Sequence, residues 1–282
     1  MMQRSGDPVP SISEADATGE IAKMYKDIRV TLGIPLVNLI WRNLAAVPGG
    51  LKWAWNTMKP LYAQGAVYAE AVALRNGQNL PTLPRLPRAA LRAVGVDAAA
   101  EEAIAAVLHS YDQGNPLNIV TFSALWARLR NEIGADGPIQ SGQVPAASSA
   151  IRPLPELMNL DEMDSNTSEL VNAVNRLGAR DFEHILVSMP RNLAHWPGFL
   201  TLYWMIVAPY DADDRLAGFI DAVLEDGRRR GLRLVRMLGD TPLPTQETRE
   251  GVEESLATLV PGAMGRMIPV VSLIKRSMPE HT

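Results

Sequence analysis

The side chains able to do acid–base or metal chemistry in this sequence are few, and their spacing is the first thing to read. Asp211-Ala212-Asp213-Asp214 follows Pro209-Tyr210 and precedes an apolar-periodic segment. Carboxylates there suit the N-terminus of a helix, where they cap free N–H groups and oppose the dipole. A sharper reading is an acidic motif that ionises an isoprenoid or binds magnesium. His109, His184, His195 and His281 show no paired spacing on one helix, so no metal site is expected. His184 reads as part of a partly exposed turn after Asp181-Phe182-Glu183, and His195 as a helix-end cap before Trp196-Pro197. The chain has no cysteine, which excludes disulfides, thiolate ligands and thiol nucleophiles. Neither a GxSxG nor a Walker or dinucleotide glycine pattern occurs.

The elements that must position these groups read as helices. Ile21, Met24, Tyr25, Ile28 and Leu32 recur at three- and four-residue spacing, with Thr18 as the expected N-cap. Asp97 precedes a run of strong helix formers over Ala98–Leu108, and Ile119–Leu129 suits a buried helix. Pro48 and Pro197 each end one helix and are expected in the first turn of the next. Arg228-Arg229-Arg230, with Asp221, Glu225 and Asp226 upstream, reads as a solvated helix end.

The chain also resembles itself. A shift of 149 positions lays Thr18 on Thr167, Glu20 on Glu169 and Arg42-Asn43-Leu44-Ala45 on Arg191-Asn192-Leu193-Ala194. It also aligns Pro48-Gly49 with Pro197-Gly198, Leu51 with Leu200, Trp55 with Trp204 and Pro60 with Pro209. These are 11 identities over the 43 positions 18–60, where unrelated segments match about one position in fifteen. At an offset of 148, Gly114, Leu125 and Arg128 meet Gly262, Leu273 and Arg276. The expected organisation is an all-α protein of two pseudo-symmetric helical repeats, 1–135 and 154–282, joined by a Gly-, Pro-, Ala- and Ser-rich linker over 136–153. A ligand pocket is expected between the repeats.

A net charge of -4 over 282 residues offers no attraction to nucleic acid, and Phe199–Pro209, the longest apolar stretch, is too short to cross a bilayer. With no leader-like start, a cytoplasmic location is expected.

The string Gly19-Glu20-Ile21, Tyr25 through Leu32 and Ile34-Pro35 resembles the start of the group I 2-haloacid dehalogenases, the DehI family. Gly114-Asn115-Pro116 and Leu193-Ala194-His195-Trp196-Pro197 are similar to that family's signatures. The resemblance implies an all-helical fold of two halves related to the alkylhydroperoxidase D unit. It implies no metal or organic cofactor, a small-molecule ligand and a homodimer. It also implies a reaction in which an aspartate activates water to displace halide from C2. By position, Asn115 matches the family asparagine near that water, and Ser188 a serine near the substrate carboxylate. Met189 stands where the family has its catalytic aspartate, and Leu36 and Leu39 stand where it has aromatic residues. A family tyrosine falls near Pro261.

The substrate-binding set expected from this is Asn115, Ser188, Met189, Leu36, Leu39 and Ile40, the last being the position 149 before Met189. A thioether accepts no proton, and a positioned base contributes about 10²–10⁴-fold, so hydrolysis would need a substitute such as Asp181 or Glu183. The expected function is a dehalogenase-like protein acting on a small 2-halocarboxylic acid. The alternatives are a paralogue whose apolar pocket binds or rearranges a hydrophobic molecule, with Asp211, Asp213 or Asp214 as its acids, and a non-catalytic dimeric module.

Overall fold

The computed structural model describes residues 8–134, 142, 144, 153–239 and 241–280. Among these, every regular element is helical. In chain order they are α1 (Gly19–Leu32), α2 (Leu39–Ala46), α3 (Gly50–Ala63), α4 (Ala66–Asn76), α5 (Arg88–Ala93), α6 (Ala98–Leu129), α7 (Ser165–Arg176), α8 (Ser188–Leu193), α9 (Pro197–Ala212), α10 (Arg215–Val235), α11 (Gln246–Leu259) and α12 (Arg266–Ser277). A π-helical turn, Val260–Gly265, joins the last two without a break. Of the expected linker, only Gly142, Val144 and Pro153 lie within the described residues.

Asp97 caps α6 through its side chain, which accepts from Ala100 N at 2.8 Å. From Tyr111 to Leu129 the helix is almost wholly buried, as expected of a helix without a polar face. Pro116 sits inside it, so its missing N–H leaves the Asp112 carbonyl without its helical donor. The run α11–π-turn–α12 spans 32 residues, as α6 does, and both its ends lie 148 positions after those of α6. Its length and composition would suffice for a membrane span, but its apolar window is mostly buried against the rest of the protein.

Close approach of α10 to α6 is set by two glycines one turn apart. A Cβ at Gly231 would lie 2.5 Å from Ser123 Cβ and 2.6 Å from Ala124 N, and one at Gly227 would lie 2.2 Å from Ile119 Cγ2. The arginine triplet between them is therefore not a helix end, because α10 continues to Val235. Packing decides its role. Arg228 pairs with Glu132, Arg229 with Asp226, and Arg230 bridges Asp226 and Glu70. Arg233 joins Arg230 on Glu70, which is itself buried, so the cluster locks α10 to α4.

Other local expectations meet mixed outcomes. Thr18 precedes α1 without a side-chain cap bond. Pro197 does occupy the first turn of α9, whereas Pro48 lies outside α3, which Gly49 enters with a left-handed backbone. The first half holds an aromatic cluster in which Trp41 meets Trp55 at 5.6 Å and Phe122 at 4.6 Å. Its polar atoms find partners: Trp41 Nε1 donates to Asn118 Oδ1 at 3.0 Å, and Tyr62 Oη is 2.6 Å from Thr121 Oγ1.

Two predictions follow from this packing. Gly231→Ala should destabilise by about 1–3 kcal/mol through overpacking, whereas Gly218→Ala, with open space at its Cβ, should stabilise by about 0.5–1 kcal/mol; denaturant titration of both variants separates them. Burial also raises the phenols of Tyr62, Tyr68 and Tyr203, that of Tyr68 from 10.0 to about 12. The folded chain then holds protons that the unfolded chain releases above pH 10, so stability should fall as pH rises from 10 towards 12. Tyrosinate absorbance followed alongside circular dichroism should show these phenols ionising only as the helices melt.

Candidate functional site

Between the N-terminal and C-terminal parts of the chain lies a small cleft of about 30 Å³. Its walls are Asn38, Leu39 and Ile40 at the start of α2, Tyr111 and Asn115 on α6, Val187 and Ser188 at the start of α8, and Leu259, Ala263, Met264 and Met267 on the closing helical run. Four pairs of these positions are related by the offsets seen in the sequence: Asn38 with Val187, Leu39 with Ser188, Tyr111 with Leu259, and Asn115 with Ala263. In each pair one residue is polar and the other apolar. The two walls of the cleft thus differ in polarity.

The polar groups are organised by hydrogen bonds that leave some capacity unused. Asn192 Nδ2 donates to the Pro155 carbonyl at 2.9 Å, which fixes its amide orientation. Its Oδ1 can only accept, and Tyr111 Oη lies 2.7 Å away. The single phenolic proton therefore goes to Asn192, and Ser188 Oγ, 2.7 Å from Tyr111 Oη, is left as donor to the phenol or to a ligand. Asn115 Nδ2 and Asn38 Oδ1 are buried with no hydrogen-bond partner. A buried orphan amide costs roughly 1–3 kcal/mol, and both atoms belong to side chains of the cleft wall.

Ser188 is held by a buried polar clamp. Asn175 Oδ1 accepts from Val187 N at 3.0 Å, and Asn175 Nδ2 donates to the Glu183 carbonyl at 3.2 Å. Arg266, 1% exposed, donates to the Asn175 carbonyl and the Ile185 carbonyl at 2.6 Å each and to Asn175 Oδ1 at 3.2 Å. Burial lowers its guanidinium from 12.5 to about 10; the carbonyl dipoles replace a carboxylate counter-ion.

The cleft brings together four of the six expected site residues, Asn115, Ser188, Leu39 and Ile40. It does not include Leu36, which packs half-buried against the core, or Met189, whose side chain is 0% exposed within the core. Tyr111 and Asn38 escaped the sequence reading. The first lies one helical turn before Asn115, and the second is related to Val187 by the 149 offset. Pro261 is in the π-turn, and its neighbours Ala263 and Met264 reach the cleft.

The candidate replacement acids are elsewhere. Asp181 and Glu183 are exposed. Asp211 accepts from Gly178 N at 2.8 Å, and Asp213 pairs with Arg215 at 2.7 Å. Asp214 is exposed and begins α10 in a left-handed conformation with no side-chain cap, so the tetrad straddles two helices instead of simply capping one. His184 is exposed, and His195 Nε2 lies 2.8 Å from the Glu156 carbonyl, a contact across the chain and not a cap of α8. Among the described residues no three His, Asp or Glu side chains converge as metal ligands.

The model of the family described as Halocarboxylic acid dehydrogenase DehI matches residues 35–176, just over half of the chain. The chain belongs to the DehI family. A configuration-inverting 2-haloacid dehalogenase of Alcaligenes xylosoxydans xylosoxydans is 28% identical over 223 residues, 73% of each chain. An (R)-2-haloacid dehalogenase of Pseudomonas putida is 30% identical over 125 residues, 41% of this chain and 42% of that one. Solved structures of a D-2-haloacid dehalogenase mutant with D-2-CPA and of a D-2-haloacid dehalogenase with L-LA superpose with TM-scores of 0.72 and 0.70. Each is 19% identical; the first covers 96% of both chains, the second 95% of this chain and 96% of its own. At that identity the likeness is one of all-helical fold. Asn115 lies within the matched segment, and Ser188 and Met189 lie beyond it.

Removing the Asn175 side chain should test the clamp. Asn175→Ala leaves Arg266 short of a partner and Val187 N bare, and should cost about 2–4 kcal/mol. Urea unfolding measures the loss, and amide exchange should quicken at Val187.

Proposed function

We propose that this DehI-family chain binds a small 2-substituted carboxylic acid in the inter-half cleft and does not hydrolyse a carbon–halogen bond as its native reaction. One observation carries the reading: the cleft wall holds the unpartnered amide atoms Asn115 Nδ2 and Asn38 Oδ1 beside the Ser188 hydroxyl, and among the described residues that line it there is no carboxylate or imidazole. Asn115 Nδ2 and the Ser188 hydroxyl offer donors to carboxylate oxygens, and the N-terminal end of α2 adds positive dipole at the same wall. Leu39, Ile40, Val187, Leu259 and Met264 surround a small apolar substituent. The complexes of related folds with D-2-CPA and L-LA support this ligand size.

Direct displacement of halide by water needs a base to take the water's proton as the carbon–halogen bond breaks. A base contributes about 10²–10⁴-fold, or about 3–5 kcal/mol of barrier, and neutral amides supply none of it. The resemblance puts Met189 at the family's aspartate, and the nearby buried acid Asp112 is turned away, bound by Lys275 at 2.5 Å.

Purified protein should take up D- or L-2-chloropropionate or lactate saturably in calorimetry while releasing no halide above buffer. Asn115→Ala should weaken binding about tenfold, matching a lost hydrogen bond of about 1.4 kcal/mol. Met189→Asp should introduce measurable halide release, and Ile40→Asp offers the same test from the cleft wall should the first variant unfold. Halide release above buffer by the unmodified protein, or absence of saturable binding across the panel, would refute the assignment.

A further inference from the structure

A second pocket, of about 370 Å³, opens where Val9 and Pro10 lie beside α2 and α11. The C-terminal end of α2 forms one wall and the 247–259 face of α11 another. Gly251 lets these helices meet closely, since a Cβ there would lie 2.8 Å from Val47 Cγ1. Of the cleft residues only Leu259 also lines this pocket, so the two sites are distinct.

Asn43, only 7% exposed, is the unusual residue of this lining. Its Nδ2 donates to the Pro10 carbonyl at 2.8 Å, which fixes the amide orientation, and its Oδ1 is buried with no hydrogen-bond partner. In Asn192, 149 positions later, the same amide is complete. There Nδ2 donates to the Pro155 carbonyl at 2.9 Å, and Oδ1 lies 2.7 Å from the Tyr111 hydroxyl. Leu259, 148 positions after Tyr111, lines the pocket with Asn43 and has no proton to give. A buried acceptor left this way is costly unless a donor arrives from outside the chain.

The other polar groups of the lining also accept. Ser255 Oγ gives its proton to the Gly251 carbonyl at 2.8 Å and keeps its lone pairs. Glu247 and Glu254 are exposed and make no hydrogen bond or ion pair among the described residues. A carboxylate at Glu247, in the first turn of α11, suits the helix dipole. Glu254, two turns on, has no such role. The C-terminal end of α2 adds negative dipole, with no basic residue in its last turn. Seven positions of helix set the two glutamates about 10 Å apart along the axis, too far to share one ion. Nor do three ligating side chains converge here among the described residues.

We infer that this pocket binds a linear aliphatic diammonium ion, with one head at each glutamate and an N–H of one head donated to Asn43 Oδ1. Val9, Val47 and Leu259 line the same space and cover the alkane chain. A metal ion finds no ligand set here, and a cation without N–H groups leaves Asn43 unsatisfied. The inference stands apart from the ligand proposed for the cleft.

Calorimetry of the full chain at low salt should show one saturable site for cadaverine. Pentylamine, with a single head, and tetramethylammonium, with no N–H, should each bind about tenfold more weakly or worse. Glu247→Gln and Glu254→Gln should each weaken cadaverine binding about three- to fivefold, with far-UV circular dichroism unchanged because both positions are exposed. Ala46→Lys, at another exposed position of the lining, plants an ammonium in the pocket and should abolish binding. Absence of a saturable signal, or equal binding of pentylamine, overturns the inference. So does full binding by Ala46→Lys or by the variant carrying both glutamine substitutions. Displacement of cadaverine by micromolar calcium would mark a metal site and overturn it as well.

Discussion

Two long buried helical runs lose their regular hydrogen-bond ladder at the same place, and the cleft depends on that coincidence. In α6 the break is Pro116, which removes the N–H that would reach the Asp112 carbonyl. In the run from α11 to α12 it is the π-turn Val260–Gly265, a local widening often found at functional sites. Positions 112–117 and 260–265 correspond under the 148 offset. A regular α-helix in place of the π-turn would bring the side chains after it to the seam in a different rotation. As built, Asn115 and Ala263 both reach it, and space remains between them.

Around this seam the N-terminal and C-terminal parts of the chain contribute different groups. The first half supplies three of the polar cleft residues and a dense aromatic core in which Trp41, Trp55, Tyr62 and Phe122 pack edge to face or tilted. The second supplies Ser188 and a mostly apolar wall, and holds Ser188 through Asn175 and Arg266. Burying a guanidinium without a carboxylate is costly, and here carbonyl oxygens take the role of counter-charge. Such a clamp fixes the entry to α8 more rigidly than packing alone, because moving the loop would strand a buried cation.

Several acids of the described residues are spent on structure. Asp112 neutralises Lys275, Glu70 binds Arg230 and Arg233, Asp221 binds Arg180, and Asp27 receives both Trp55 and Lys59. Each joins elements distant in sequence, and none points into the cleft. The arrangement favours a site that recognises its ligand through neutral donors and shape.

Several features were determined by the sequence alone: the helical class, from 3.6-residue periodicity; the Asp97 cap, from local chemistry; and the family, from its signatures. The offsets relating 18–60 to 167–209 were also visible and pointed to Asn115, Ser188, Leu39 and Ile40 at one seam. All of these are local or pairwise properties of residues. Only the tertiary structure decided which faces met. It put Met189 in the core instead of on the cleft wall, added Tyr111 and Asn38, and left Asp211, Asp213 and Asp214 off the cleft wall. It also showed that Arg228–Arg230 is part of a lock between α10 and α4, because glycines 227 and 231 let α10 approach α6. The reason is rotational. Each residue along a helix turns by about 100°, so a side chain's destination depends on how the helices pack.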